Sequence, residues 1–190
     1  MAIRTNHQIT DNTWFITFTC YDWIPLFEIT KSYDLVYNWM KIADEKYKIK
    51  TLAFVIMPNH VHLLLYLTDE LVNLNTIISN AKRFMAYSII KRLIIDNQNV
   101  ILDKLSTACS EKEQRKGQKH KLFEPSFDAK VVYSLDFLYQ KIDYIHHNPM
   151  QGKWNLAHEF TDYEHSSAAF YELEHPHSSV NIADYREYWF

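Results

Sequence analysis

Scarcity narrows this chain before abundance does. Two glycines and 5 prolines among 190 residues leave little material for long flexible linkers or low-complexity segments. The 2 cysteines, Cys20 and Cys109, stand far apart and without metal-type spacing, which points to a reducing compartment rather than a disulfide scaffold. No apolar run approaches the roughly 18 residues that a membrane span needs. The opening residues, MAIRTNHQITDNTW, lack the apolar core of a signal peptide. The expectation is a cytoplasmic protein with no membrane contact. Cationic excess is missing too. The net charge is -3, so any nucleic-acid binding has to rest on a local basic patch.

Apolar and aromatic residues are plentiful: 47% of the chain is hydrophobic, with 13 Tyr, 11 Phe and 5 Trp. That suffices for one domain over residues 1–190, with a core over about 13–150 and a C-terminal extension over about 151–190. The densest stretch is 54–67, FVIMPNHVHLLLYL, where ten of fourteen residues are apolar or aromatic. Residues 52–57 read as a buried strand, Pro58-Asn59 as a turn and 60–67 as a second strand. Residues two apart on a strand share a face, so His60 and His62 project together while Val61 points the other way. Such a pair suits two core imidazoles, each with its own hydrogen-bond partner, or two ligands of a metal site. Spacing alone leaves both open.

The remaining periodicities build around that hairpin. A strand is expected over 13–21, a loop with Pro25 over 22–29, and a helix over 33–48 carrying Leu35, Val36, Trp39 and Met40. A long helix is expected over 75–92 with Asn75 as its cap, then a strand over 127–133 and a helix over 135–147. Up to the fourth strand this is the split β-α-β order of an α+β, ferredoxin-like (RRM-like) antiparallel sheet with helices on one face. The helix 135–147 is an addition, and the tail beyond 151 reads as irregular. Residues 96–121 look least ordered. Their EKEQRKGQKHK run is either a mobile charged surface loop or an electrostatic arm for nucleic acid. Lys82 and Arg83 belong either to a solvated helix face or to a phosphate-binding one; with Arg115 and Lys116 they are the candidate DNA contacts. His175 and His177 flank Pro176 and read as surface residues.

The last helix closes on Asp143-Tyr144-Ile145-His146-His147-Asn148-Pro149. Tyr144 and Asn148 are four apart and share one helix face. Residue physics reads them as a core aromatic and a helix terminator, or as a phenol and an amide oxygen aimed at one place.

Together, MPNHVHLL and YIHHNP resemble the HUH single-tyrosine transposases, and within them the REP-associated tyrosine transposases. WFITFTCYDWIPLF and YEHSSAAFY agree, so the resemblance covers about residues 14–171. It implies that His60 and His62 bind a divalent metal, Mg²⁺ or Mn²⁺, and that Tyr144 attacks a phosphodiester of single-stranded DNA near a hairpin. Asn148 stands where the insertion-sequence branch uses a glutamine as third ligand, with His147 as substitute. The implied activity is nicking and joining through a 5′-phosphotyrosine, without ATP. A phenol is a weak nucleophile at neutral pH, its ordinary pKa being about 10, so a metal that polarises the phosphate fits the chemistry. Imidazole ligands alone favour softer metals than magnesium. In the insertion-sequence branch the tyrosine helix completes the partner's site. The long span between Thr76 and Asp143, with a tail able to cover a sheet edge, favours instead a monomer with its site in one chain.

Two rivals differ in class. One is a non-catalytic nucleic-acid-binding protein on an RRM-like sheet, which needs stacking aromatics on exposed strands. The other is a metal-dependent phosphodiesterase for small substrates, which needs no DNA-sized basic surface.

Overall fold

The computed structural model describes residues 12–69, 73–152 and 154–189. Residues 1–11, on which the absence of a leader was judged, lie outside the described residues, as do Glu70 after the third strand and Phe190 at the end of the tail. In chain order the elements are β1 (Thr13–Thr19), α1 (Leu26–Ile29), α2 (Tyr33–Tyr47), β2 (Ile49–Ile56), β3 (His60–Leu67), α3 (Leu74–Ile95), α4 (Asn99–Thr107), α5 (Glu111–Arg115), β4 (Asp128–Val131) and α6 (Leu135–His147). The sheet runs β2-β3-β1-β4 with every neighbour antiparallel. β3 is therefore inserted between β1 and β2, as the split β-α-β order requires. The chain is α+β, with the ferredoxin-like sheet that its element order implies.

Strand parity sorts the two faces. Trp14, Ile16, Phe18, Phe54, Val61 and Leu63 form one buried cluster with Val36 and Met40 of α2 and with Ile78, Ile89 and Leu93 of α3. Phe15, Val55 and Leu64 face the other way and pack on Leu138 and Ile145 of α6. The added helix thus covers the side opposite the core helices. His60 and His62 share the parity of Leu64, so they point toward α6.

The tail, 154–189, does more than wrap. It satisfies the outer edge of β2: Ile56 N–H donates to the His165 carbonyl at 2.8 Å, Ser167 N–H to that of Phe54 at 2.9 Å, and Ala183 N–H to that of Thr51 at 2.9 Å. The Tyr171 and Tyr163 hydroxyls donate to the carbonyls of Leu52 and Ile56, at 2.7 and 2.8 Å. An edge that would otherwise present a row of free backbone groups is closed by the chain itself. Two single turns, α7 (Ala168–Glu172) and α8 (Arg186–Trp189), are the only α-helical pieces described there.

Three expectations need correction. Residues 96–121 are largely helical, because Leu105 is buried and Ile101 and Leu102 pack on the core at helical spacing. Within them Ser110 and Glu113 form a reciprocal capping box that starts α5. The long helix begins two residues earlier than expected: Asn73, not Asn75, accepts the Thr76 N–H at 3.0 Å. Residues 22–29 include the turn α1, whose Leu26 and Phe27 are buried.

Lys82 is the largest departure. Expected at a DNA surface, it is turned inward from α3, and its Nζ donates to the carbonyls of Glu124, Pro125 and Ser126 at 2.6, 3.4 and 3.1 Å. Burial pushes its pKa down to about 8. Its ammonium is committed to holding the segment that leads into β4. Lys82→Met keeps the stem and removes the charge. It is expected to destabilise the fold by about 1–3 kcal/mol, the cost of leaving buried carbonyls unpaired, and to leave the salt dependence of any DNA binding unchanged. Denaturant titration and a salt series check the two halves. A flat stability with a shallower salt slope would return Lys82 to the surface role.

Candidate active site

The site grows from the turn between β2 and β3. Met57 N–H donates to the His60 carbonyl at 2.8 Å and closes the turn. Its tip is buried: the Asn59 carbonyl accepts from Cys20 N–H at 2.8 Å, and that of Pro58 from Phe27 N–H at 3.0 Å. The Asn59 side chain then sets the next residue. Its Nδ2 donates to the Trp23 carbonyl at 2.8 Å, which orients the amide, so Oδ1 is the atom 2.7 Å from His60 Nδ1. An amide oxygen only accepts, so Nδ1 carries the proton and Nε2 keeps its lone pair.

His62 is held from the neighbouring strand. Thr17 pairs with it in register, and Thr17 Oγ1 lies 2.7 Å from His62 Nδ1. Phe15 stacks on the ring with centroids 5.5 Å apart. His62 Nε2 is buried without a hydrogen-bond partner. Both rings are thus tethered at Nδ1, which is how histidine ligands are oriented, and both direct Nε2 elsewhere. Burial pushes the pKa of His60 down to about 4, against a small pull upward from the Asn148 amide. Burial, then the neighbouring His60 and Lys141, pushes His62 down to about 3. Both rings are neutral at pH 7, as metal ligands must be.

α6 delivers the tyrosine. Ser134 caps it by accepting the Phe137 N–H at 3.2 Å. Leu138 and Ile145 face the sheet, which leaves Tyr144 on the rim of the buried stripe, 37% exposed. Its ring lies 5.0 Å from that of His62 and 6.0 Å from that of Phe15. The chain continues past α6 into a 3₁₀ turn over Asn148–Met150, and the buried Asn148 side chain reaches His60. His60, His62, Tyr144 and Asn148, taken from two distant stretches of sequence, therefore meet on one side of the sheet.

Other candidates fall elsewhere. His147 does not join the pair: its Nδ1 lies 3.0 Å from the Asp143 carbonyl and 3.1 Å from the Asp143 carboxylate, and its ring packs on Phe160 at 4.3 Å. Among the described residues no trio of His, Cys, Asp or Glu could hold a metal, so an amide is the third donor on offer. His146 is buried, with Nε2 2.9 Å from Ser167 Oγ, and ties α6 to the tail. Arg83 is exposed on α3, which packs on the opposite face of the sheet, and lies over Phe84. Arg115 pairs with Glu111 on the surface, and Lys116 is exposed. His175 is exposed, while half-buried His177 contacts the Glu164 carbonyl and the Ser179 N–H.

Two neighbours of the site escaped the sequence reading. Lys141 holds its Nζ 5.6 Å from the Tyr144 ring and 4.7 Å from that of Phe15, with no carboxylate against it among the described residues. Burial and the nearby Lys130 lower its pKa. Its place three residues before Tyr144, on the same helix face, was the available signal. Trp23 stands 59% exposed with its ring 5.6 Å from that of His60. It sits on a turn where Asp22 and Trp23 both take positive φ, 51° and 55°, at a cost of roughly 1–2 kcal/mol each.

No protein-family model matches the chain, and no curated protein sequence does. Among solved structures it is similar to a REP-associated tyrosine transposase bound to a REP hairpin, with a TM-score of 0.64 and 16% identity over 97% of this chain and 94% of that one. A Deinococcus radiodurans R1 protein with a provisional transposase assignment aligns over 76% of this chain and 95% of its own, at 18% identity and a TM-score of 0.44. The chain shares its fold with the first of these.

The buried imidazoles make stability depend on pH. The folded pKa values of His60, His62 and His146 are about 4, about 3 and about 4, below the ordinary 6.5 or so of an unfolded chain. Between those values the unfolded state binds more protons, so stability rises with pH there and falls on acidification. Each ring contributes up to about 1.4 kcal/mol per pH unit in that window. Urea unfolding without added metal is expected to show a marked loss of stability from pH 7 to pH 5. An unchanged midpoint would contradict the burial of these rings.

Proposed function

We propose that this chain is a transposase of the HUH single-tyrosine class, which nicks and rejoins single-stranded DNA beside a hairpin through Tyr144. The observation that carries the reading is the meeting of Tyr144 with two neutral, Nδ1-tethered histidines, one of which has a buried Nε2 without a partner. The shared fold with a REP-associated tyrosine transposase, itself bound to a REP hairpin, supports the class and the kind of DNA.

His60 and His62 would hold a divalent metal through Nε2, with the Asn148 amide oxygen as third donor; this set suits Mn²⁺ better than Mg²⁺. When bound, such an ion supplies Lewis-acid polarisation of the phosphate. The chain's own residues do the rest. Tyr144 Oη gives its proton to solvent and attacks phosphorus, the bond from phosphorus to the 3′ oxygen breaks, and that oxygen takes a proton from solvent to leave as a hydroxyl. A 5′-phosphotyrosine remains, and reversal by another 3′ hydroxyl joins strands. Lys141, with Lys130 near it, places positive charge beside the Tyr144 ring, where it would meet an arriving phosphate.

The rivals fit less well. The sheet face that an RRM-like binder would expose is covered by α6 and the tail, with Phe15 and Leu64 buried beneath. A small-substrate phosphodiesterase calls for an enclosing pocket. The cavities of about 300, 380 and 370 Å³ are lined by residues other than His60, His62 and Tyr144.

Incubation with single-stranded hairpin oligonucleotides and Mn²⁺ is expected to give a covalent adduct, visible on a denaturing gel, that Tyr144→Phe abolishes. Tyr133 and Tyr139, which are also exposed, should be replaceable by Phe without loss. An adduct that survived Tyr144→Phe would assign the nucleophile elsewhere. His60→Ala and His62→Ala should each lose Mn²⁺ affinity in a calorimetric titration.

Assembly is proposed to be monomeric, with the site formed within one chain. Supporting this, the tyrosine and the histidines meet within one chain and the β2 edge is closed by its own tail. Mixing Tyr144→Phe with His60→Ala protein is expected to restore no cleavage. Recovery in the mixture would mean that sites are shared between chains.

A further inference from the structure

We infer that Trp23 is a stacking platform for the unpaired base of the nucleotide whose 3′ oxygen is the leaving group when Tyr144 attacks. The inference rests on the nicking reading for the identity of that nucleotide, but the stacking itself does not require cleavage.

Four observations carry it. Trp23 presents a large flat surface to solvent beside the histidine pair, 59% exposed and 5.6 Å from the His60 ring. A lone exposed aromatic is ordinary on a protein surface, but this one is held in place. Its turn uses two consecutive non-glycine residues at positive φ, a conformation that persists only where the surroundings enforce it. The enforcement is visible: the Trp23 carbonyl accepts from Asn59 Nδ2, and the same amide fixes His60. The indole is thereby coupled to the proposed metal ligands through one side chain.

The charges around it are paired, which suits an uncharged base face. Asp22 precedes Trp23 and pairs with Lys104, and the Asp22 N–H donates to Glu124 Oε1 at 3.1 Å. Asp22 and Lys104 offset each other beside the indole, and an uncharged π-face loses nothing there. The ammonium groups of Lys141 and Lys130 lie at the other end of the site, with Tyr144.

Direction follows from the order of the rings. Tyr144 packs on His62 at 5.0 Å, His62 on His60 at 4.8 Å, and His60 on Trp23 at 5.6 Å. In an in-line displacement the leaving oxygen departs opposite the attacking one. Tyr144 attacks from the His62 end, so the leaving 3′ oxygen and its nucleotide lie toward His60 and Trp23. Base–aromatic stacking tolerates any sequence, because every base has a π-face. Trp23 thus contributes affinity and register at that position without reading base identity.

The test is a coupling measurement on the full chain. The probe is a DNA hairpin with short unpaired flanks, titrated by fluorescence anisotropy, with each flanking nucleotide replaced in turn by an abasic residue. Trp23→Ala is expected to weaken binding about tenfold, the scale of one stacked base. Trp23→Phe should recover most of the loss and Trp23→Leu should not. At one flank position the abasic substitution and Trp23→Ala should be non-additive, because both remove the same stack. Mapping the adduct of the unmodified protein should place that position immediately 5′ of the cut. Additivity at every position, or equal affinity of the Ala and Phe variants, would overturn the platform. Coupling without any adduct would leave the platform standing and remove the nicking reading; an adduct with coupling elsewhere would overturn the assignment to the leaving nucleotide.

Discussion

The structure depends on a hairpin turn that is buried. Turns normally lie at the surface because their backbone groups need water. Here the Pro58 and Asn59 carbonyls instead accept from Phe27 and Cys20, so the end of β1 and the turn α1 are stitched to the tip of the β2–β3 hairpin. The Asn59 side chain sits at the junction and makes two further bonds, to Trp23 and to His60. Register of the central strands, the tautomer of one histidine and the position of an exposed tryptophan are consequences of that single packed turn. A shift of β3 by one residue would send both histidines to the α2–α3 side and Val61 toward α6.

Such a site is kept at some cost to the fold. Burying a neutral imidazole with an orphan nitrogen, as at His62 Nε2, forfeits roughly 1–3 kcal/mol. Apolar residues at 60 and 62 would pack the same space without that loss. The sheet absorbs the cost through its neighbours: Val55, Leu63, Leu64 and Leu65 are fully buried around the pair. The rigidity that stabilises the strand also pre-sets the direction of both rings, so little ordering remains to be done when a ligand arrives. The tyrosine is treated differently. It lies on the rim of α6, partly exposed, where a polymer can reach it and where packing on His62 and Phe15 limits its motion.

Much of this was legible in the residues, and the misses share a cause. Alternation and turn chemistry placed the strands and the histidine face, because period-two patterning depends only on local geometry. The spacing of Tyr144 and Asn148 placed them on one side of α6 for the same reason. Exposure is tertiary and was misjudged: Lys82 looked like a surface cation and is buried against three carbonyls. Charge density hid the short apolar triad Ile101, Leu102 and Leu105, so two helices read as loop, although the Ser110–Glu113 capping box stood in plain sequence. His147 stood as the substitute for Asn148, and the end of the helix separates them, turning one toward Asp143 and the other toward His60. Trp23 could not have been singled out, since nothing local reveals that its carbonyl is held by Asn59.

The net charge of -3 speaks against non-specific nucleic-acid binding. Net charge governs non-specific attraction at long range, but screening confines charge effects to about 8 Å at physiological ionic strength. What matters is how charge is distributed over the site. Lys141 stands at the tyrosine end with Lys130 near it, while at the Trp23 end Asp22 is paired with Lys104. A uniformly basic groove would hold a strand equally well in either direction. A surface with its cations at one end, and with the charge beside the aromatic at the other already paired, would favour one direction of a bound strand over the other. An acidic chain is thus compatible with a DNA substrate, and the weak overall attraction shifts the burden of recognition onto these few groups.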